Sequence, residues 1–175
     1  MPARRNHPAH AKTGSTTIVA WFTTKDVGPF ARLIDIGDQQ DGQGQAFIYF
    51  TPRDADDQSR GAITATDAGS KTAADNDRLD DGKQHMIALV IDATAKKLHV
   101  FIDGKEPSPP QDLGDNTLDS VHQKHTWLGR SAFDSDPGYT GSVEELRVYD
   151  QPLTADDITA AMKTGPASLP PTTQP

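Results

Sequence analysis

The carboxylates decide which chemistry this chain can attempt: of 25 acidic residues, 22 are Asp and three are Glu (Glu106, Glu144 and Glu145). Cleaving a glycosidic bond takes two carboxyl groups, about 5 Å apart in retaining enzymes or roughly 6.5–9.5 Å in inverting ones. On a strand, such a pair needs an even spacing, because alternate side chains share a face. Glu144 and Glu145 are adjacent, so on a strand they leave opposite faces. Glu106 stands among prolines, and no Asp-x-Asp or Asp-x-x-x-Asp falls inside a predicted strand. No G-x-S-x-G elbow and no Ser/His/Asp grouping supplies a nucleophile. Zero cysteines removes disulfides, thiolate zinc sites and thiol nucleophiles together. The residues argue against an enzyme.

Three segments imitate ligand sites and fail on detail. Gly42-Gln43-Gly44 opens like a dinucleotide loop, but Phe47 stands at the third glycine position and no helix follows. Residues 75–82 (DNDRLDDG) imitate a calcium loop, yet Leu79 and Asp80 stand where an EF-hand needs a ligand and then Gly. They read as a solvated loop before a strand. His122 and His125 have no partner Glu and no helix, so they read as a surface loop.

The elements that must position any site are short. Apolar, β-branched runs occupy residues 16–24, 32–36, 45–51, 61–66, 85–92, 98–103, 126–129 and 142–150, with Gly, Asp and Pro between them. Eight strands at such spacing predict an all-β sandwich or barrel. In 16–24, Ile18, Ala20 and Phe22 share one face and Val19 and Trp21 the other, with Trp21 read as core. Residues 93–97 fit a hairpin loop. One helix is predicted at the end: Thr154 caps it, Asp157 completes the capping box, and Ile158, Ala161 and Met162 form its apolar face before Gly165-Pro166. Such a helix is expected to pack on the sandwich edge. Residues 1–14 read as a polar lead-in, 15–165 as the domain and 166–175 (PASLPPTTQP) as an extended linker or tail.

Composition bounds the partners. A net charge of -8 without a basic stripe opposes binding to a phosphate backbone, so nucleic acid is not an expected partner. No run reaches the roughly 18 apolar residues of a membrane span, and MPARRNHPAHAKTGS lacks the apolar core of a signal peptide.

Three stretches, 17–38, 79–103 and 127–158, carry a resemblance. The last is the most specific: LGRS, a short loop with Asp136-Pro137, an aromatic, Gly141, a hydrophobic-acidic strand and a Leu-Thr helix cap. Asp81-Gly82-Lys83-x-His85 adds a strand entry, with Gln84 where Trp is common. In this order they resemble the laminin G-like jelly-roll modules of the concanavalin A-like lectin/glucanase superfamily. The resemblance implies a two-sheet antiparallel β-sandwich with one short C-terminal helix and no catalytic activity. It further implies a carbohydrate-binding or adhesion module of an exported bacterial protein, at the cell envelope or outside the cell. The expected partners are a glycan or cell-surface polysaccharide and other domains of a larger protein. A structural spacer without a specific ligand is the alternative, with a β-sandwich glycoside hydrolase behind it. The resemblance also implies a first strand before Thr16, where only about 15 mostly polar residues stand. The expectation is a missing strand, an unpaired edge beside the last strand and lower stability than an upstream-extended version.

Within that frame, Arg32, Asp35, Arg130 and Asp136 attract attention. Asp is disfavoured inside a strand, and a buried carboxylate needs a partner, here Arg32 or Arg130. Such ion pairs would fix the loop at residues 130–138. Another reading is a polar ligand patch formed by Arg32, Asp35, Arg130 and Asp136, with Trp127, Phe133 or Tyr139 stacking on a sugar ring. A third is a structural Ca2+ held by Asp38, Asp134 or Asp136 with backbone carbonyls.

Overall fold

The computed structural model describes residues 14–65 and 69–167; expectations for the lead-in before Gly14 and the tail beyond Ala167 lie outside them. Ten strands and a helix follow one another: β1 (Thr16–Lys25), β2 (Ile34–Gln40), β3 (Gln43–Thr51), β4 (Ser59–Ala65), β5 (Gly69–Asp75), β6 (Asp81–Asp92), β7 (Lys97–Ile102), β8 (Gln111–Asp112), β9 (His125–Leu128), β10 (Gly141–Tyr149) and α1 (Ala155–Thr164). They form two antiparallel five-stranded sheets, ordered β10-β1-β6-β7-β8 and β5-β4-β3-β2-β9. All eight expected strands are present, with ends within two residues of those expected, except that β2 ends four residues later and β6 begins four residues earlier. β5 and β8 are additional. GSKTAAD shows no apolar alternation, and QD is only two residues, so neither leaves a hydrophobic signature.

Alternation along the strands builds three apolar layers. Ile18, Phe22, Ile48, Phe50, Ile63 and Leu89 fill the space between the sheets. The opposite face of the first sheet is also apolar (Val19, Trp21, Met86, Val90, Phe101), and α1 covers it through Ile158. The helix therefore lies on a sheet face, not on the sandwich edge. The reason is β6, which is apolar on both faces and demands cover on both. The expected cap is present in full: Thr154 Oγ1 accepts the Asp157 amide, and the Asp157 carboxylate accepts the Thr154 amide. The third layer, on the outer face of the second sheet, joins Phe47, Tyr49 and Ala62 to Phe30 and Phe133.

Asp41 and Gly42 both have positive φ (51° and 75°), so this pair is the two-residue type I′ turn between β2 and β3. Here the segment that imitates a dinucleotide loop is a hairpin. Gly37 is required for a different reason. A Cβ there would lie 2.2 Å from the Ala46 carbonyl oxygen, because β3 crosses β2 closely at a register shift.

Candidate functional site

β2 begins two residues after Arg32, and its second residue, Asp35, points to the outer face of the second sheet, opposite Tyr49 of β3 and Trp127 of β9. Asp35 is fully buried (0% exposed). One carboxylate oxygen accepts Arg32 Nη1 at 2.5 Å and the Ala132 amide at 2.8 Å; the other meets His125 Nε2 at 3.0 Å. Against an ionised carboxylate, which only accepts, this contact is a hydrogen bond when Nε2 of His125 carries the proton. The expected pair with Arg32 is made, and the expected pair with Arg130 is not.

Arg32 is itself buried, at 4% exposure, inside the aromatic layer. Its guanidinium carbon lies 4.0 Å from the ring centre of Tyr49, 4.9 Å from Phe47 and 5.0 Å from Phe133. The negative faces of these rings share the stabilisation of its charge with Asp35 and with Asp136, 3.7 Å from Nε. Burial pushes the Tyr49 hydroxyl above its ordinary range, against the pull of Arg32 and Arg60. Asp136 accepts Ser131 Oγ at 2.5 Å, and Asp134 accepts Gln39 Nε2 at 3.0 Å. These bonds pin loop 130–138 across the outer face, with the Asp134 amide donating to Gly42 O.

The sequence-selected residues thus fall into two groups. Arg32 and Asp35 are interior and beyond the reach of a ligand. Trp127 and Arg130 lie at the surface, at the open edge formed by β9. The Trp127 ring is stacked on His125 (3.8 Å between ring centres, 9° between planes), and the Arg130 guanidinium sits 4.1 Å from its centre. Two planar groups at those separations cannot share one face, so both faces of the indole are covered. His125 is the first residue of β9 and not a loop residue, as its spacing from His122 had suggested. Beside Trp127, a cleft of about 140 Å³ is lined by Arg130, Phe133, Asp134 and Asp136, among others. Tyr139 packs against the inter-sheet core, and burial pushes its hydroxyl up to about 12. Its backbone amide reaches Gly129 O, which closes the loop.

Each of the carboxylates named as a possible calcium ligand has a partner within the chain. Lys124 binds Asp38 at 2.8 Å and holds its carboxyl below the ordinary range, while Asp134 and Asp136 are held by Gln39 and Ser131. Among the described residues, no group of three or more His, Asp or Glu side chains is placed to hold a metal ion.

Tyr49, Phe47 and Ser131 escaped the sequence reading as site residues, and His125 entered it only as a loop residue. Alternation in β3 places Phe47 and Tyr49 together, but only the register Asp35↔Tyr49 brings them to Arg32. His125 needs the pairing Gly37↔His125.

A family model described as the Concanavalin A-like lectin/glucanases superfamily, of laminin G type, matches residues 4–159. No curated protein matches the chain. Among solved structures, the chain is similar to the CBM40 of a Ruminococcus gnavus IT-sialidase bound to α2,3-sialyllactose (18% identity, TM-score 0.71, 83% of this chain and 81% of that one). It is also similar to domain 4 of AbnA, a GH43 extracellular arabinanase from Geobacillus stearothermophilus, in complex with arabinotriose (16% identity, TM-score 0.67, 86% and 68%). A leech intramolecular trans-sialidase is a third, at 17% identity and TM-score 0.70, with 89% of this chain but 24% of that one covered. The two-sheet architecture agrees with the family match, and this chain belongs to the concanavalin A-like lectin/glucanase superfamily, as a laminin G-like jelly roll.

Proposed function

We propose that this chain is a non-catalytic carbohydrate-binding module of an exported protein, and that it meets its glycan at the rim formed by Trp127, Arg130 and loop 130–138. The observation that carries the reading is the coincidence of two things. The fold is that of modules whose structures hold sialyllactose and arabinotriose. At the same time, an exposed arginine and two carboxylates border one small polar cleft, and that arginine lies over the ring of a half-buried tryptophan. Sugars are bound by such combinations of an aromatic platform and directed polar groups. Arg130 is the movable part, since its side chain is exposed and the indole face beneath it becomes available when it swings away.

The carboxylates support a non-catalytic role. Glu144 is bonded to Thr23 and Ser142, Glu145 to Arg147, and Glu106 to His99, on separate parts of the surface. An extracellular setting agrees with the arabinanase neighbour, which is named as extracellular. Among the described residues, no helix is long and apolar enough to cross a membrane.

One observation favours a second reading, a spacer that binds nothing specific: both faces of Trp127 are already covered from within. Affinity electrophoresis separates the two. Retardation of the wild-type chain by sialylated or arabinan-type polysaccharide, abolished by Trp127→Ala with the fold intact by circular dichroism, is the expected outcome. A folded wild-type chain that migrates unretarded through both polysaccharide types leaves the spacer.

A further inference from the structure

A second cleft lies away from Trp127, at the end of the sandwich where β6 begins and β7 ends. It has a volume of about 610 Å³ and is bordered by Asp75, Arg78, Asp81, His85, Asp103 and Glu106, among others. Its central group is His85. Nδ1 lies 2.8 Å from Asp103 Oδ2, and Nε2 lies 3.1 Å from Asp81 Oδ1. A neutral imidazole has one N–H and one lone pair, whereas an ionised carboxylate offers only lone pairs. Two carboxylates, one on each ring nitrogen, are both satisfied only by the imidazolium.

We propose that His85 is a pH-operated clasp: protonated, it ties the start of β6 to the turn after β7 across this cleft, and neutral, it releases Asp81, so the cleft opens and gains negative charge as pH rises.

The two carboxylates are not equivalent, which sets the contact that yields. Asp103 sits in a tight turn with Gly104 (φ 49° and 79°), closed by reciprocal bonds between Ile102 and Lys105. Its second oxygen accepts the Met86 amide at 2.9 Å. Asp81 stands at the exposed start of β6, where Lys83 Nζ draws on its other oxygen at 2.5 Å. A neutral His85 therefore keeps Nδ1–H on Asp103 and turns a lone pair toward Asp81, which moves off with Lys83. The surrounding charges come from every neighbouring element. β6 supplies Asp81 and Lys83. The turn after β7 supplies Asp103, Lys105 and Glu106, with Glu106 held independently by His99 at 2.7 Å. β5 and the loop after it supply Asp75, Asp77 and Arg78. β1 presents the Phe22 ring, 6.1 Å away, and Lys25 in register with Asp81.

The electrostatics point the same way. The hydrogen bond to Asp103, opposed by burial and aided by Asp81, raises the His85 pKa above its ordinary value of 6.5. A pKa raised in the folded state adds stability that is complete below about 6.5 and is lost as pH rises through the folded value.

Imidazole nitrogen NMR on the whole chain tests this. His85 is expected to titrate above 6.5 and to carry protons on both nitrogens at pH 6, and the Lys83 amide, which donates to Asp81 Oδ1 at 2.8 Å, should shift with the same midpoint. In Asp81→Asn the midpoint should fall, since one of the two carboxylates that favour the imidazolium is removed. Wild-type titration at or below 6.5, a Lys83 amide blind to it, or an unmoved midpoint in Asp81→Asn each overturns the proposal. The wild-type measurement decides even where a variant does not fold.

Discussion

Asp35 is a carboxylate with no exposed surface, and three hydrogen-bond partners converge on it. Deleting it strands Arg32 inside the aromatic layer with only Asp136, 3.7 Å away, to oppose its charge. Asp35→Ala is expected to cost about 3–5 kcal/mol, the usual penalty for leaving one member of a buried pair, read from the shift of a urea midpoint. In a double-mutant cycle, Arg32→Met combined with Asp35→Ala should cost less than the two single changes added together, since the pair is one unit. Gly37→Ala tests packing instead of charge. Its Cβ would meet the Ala46 carbonyl at 2.2 Å, and the expected loss is about 1–3 kcal/mol. A midpoint equal to wild type would mean the two strands can separate at the bulge. Acid acts on a different set of residues. Burial raises the pKa of the Asp80 carboxyl, but Arg78 and the backbone amides of Asp80 and Val27 outweigh it and hold the pKa below 3.8. Asp103 is likewise held low by His85 and the Met86 amide despite its burial. Depressed carboxylates stabilise the fold above their unfolded values and lose that contribution as pH falls through the folded ones. Thermal melts should hold near pH 5 and drop steeply below pH 3.8.

At the scale of elements, α1 turns a two-layer sandwich into a three-layer one over the first sheet. Its helical propensity is modest, and its stability comes from Ile158, which is fully buried against the patch around Trp21. The Arg147 guanidinium lies over the Trp21 ring, 4.4 Å from its centre, and also reaches Gly165 O. Ile158→Ala is expected to cost about 2–4 kcal/mol and to red-shift Trp21 fluorescence, measured in a Trp127→Phe background so that one indole reports. Unchanged emission would show that the helix does not shield Trp21. Thr154→Ala removes the capping box and should cost about 1 kcal/mol without moving the emission. The contrast separates helix stability from helix docking. This element also shows what a sequence can and cannot announce. Its cap, its apolar face and its stop are all written in residues 154–166, whereas the surface that receives it is built from β1, β6 and β7.

The whole molecule is organised by pairings distant in the chain. β1 lies between β6 and β10, and the Thr17 hydroxyl donates to a carbonyl 134 residues away, at Gln151. Loop closure over such distances precedes the contacts that reward it, so refolding from urea is expected to take milliseconds to seconds, as in other non-local β folds. A microsecond phase that accounts for the full stopped-flow signal would contradict this. Much of the architecture was legible beforehand, because local signals carry it: the β-branched and aromatic runs of β1 and β3, the hairpin-length loop at 93–97, and the motifs in 127–158 that mark the family. The candidate site was legible only in part. Asp35 announced itself as a carboxylate in an apolar strand, and Trp127 and Arg130 as neighbours in sequence. Their fates diverged because Asp35 is placed by β2–β3–β9 register, which a linear pattern does not encode. The register put Tyr49, Phe47 and His125 around the Arg32–Asp35 pair and left Arg130 to cover Trp127. Residue type and spacing were therefore enough for the β-sandwich and its terminal helix, both of which rest on short-range periodicity. Which charges are buried, which indole can be uncovered and which histidine stands between two carboxylates were decided by the packing of strands far apart in sequence, because burial and hydrogen-bond distance exist only once those strands meet.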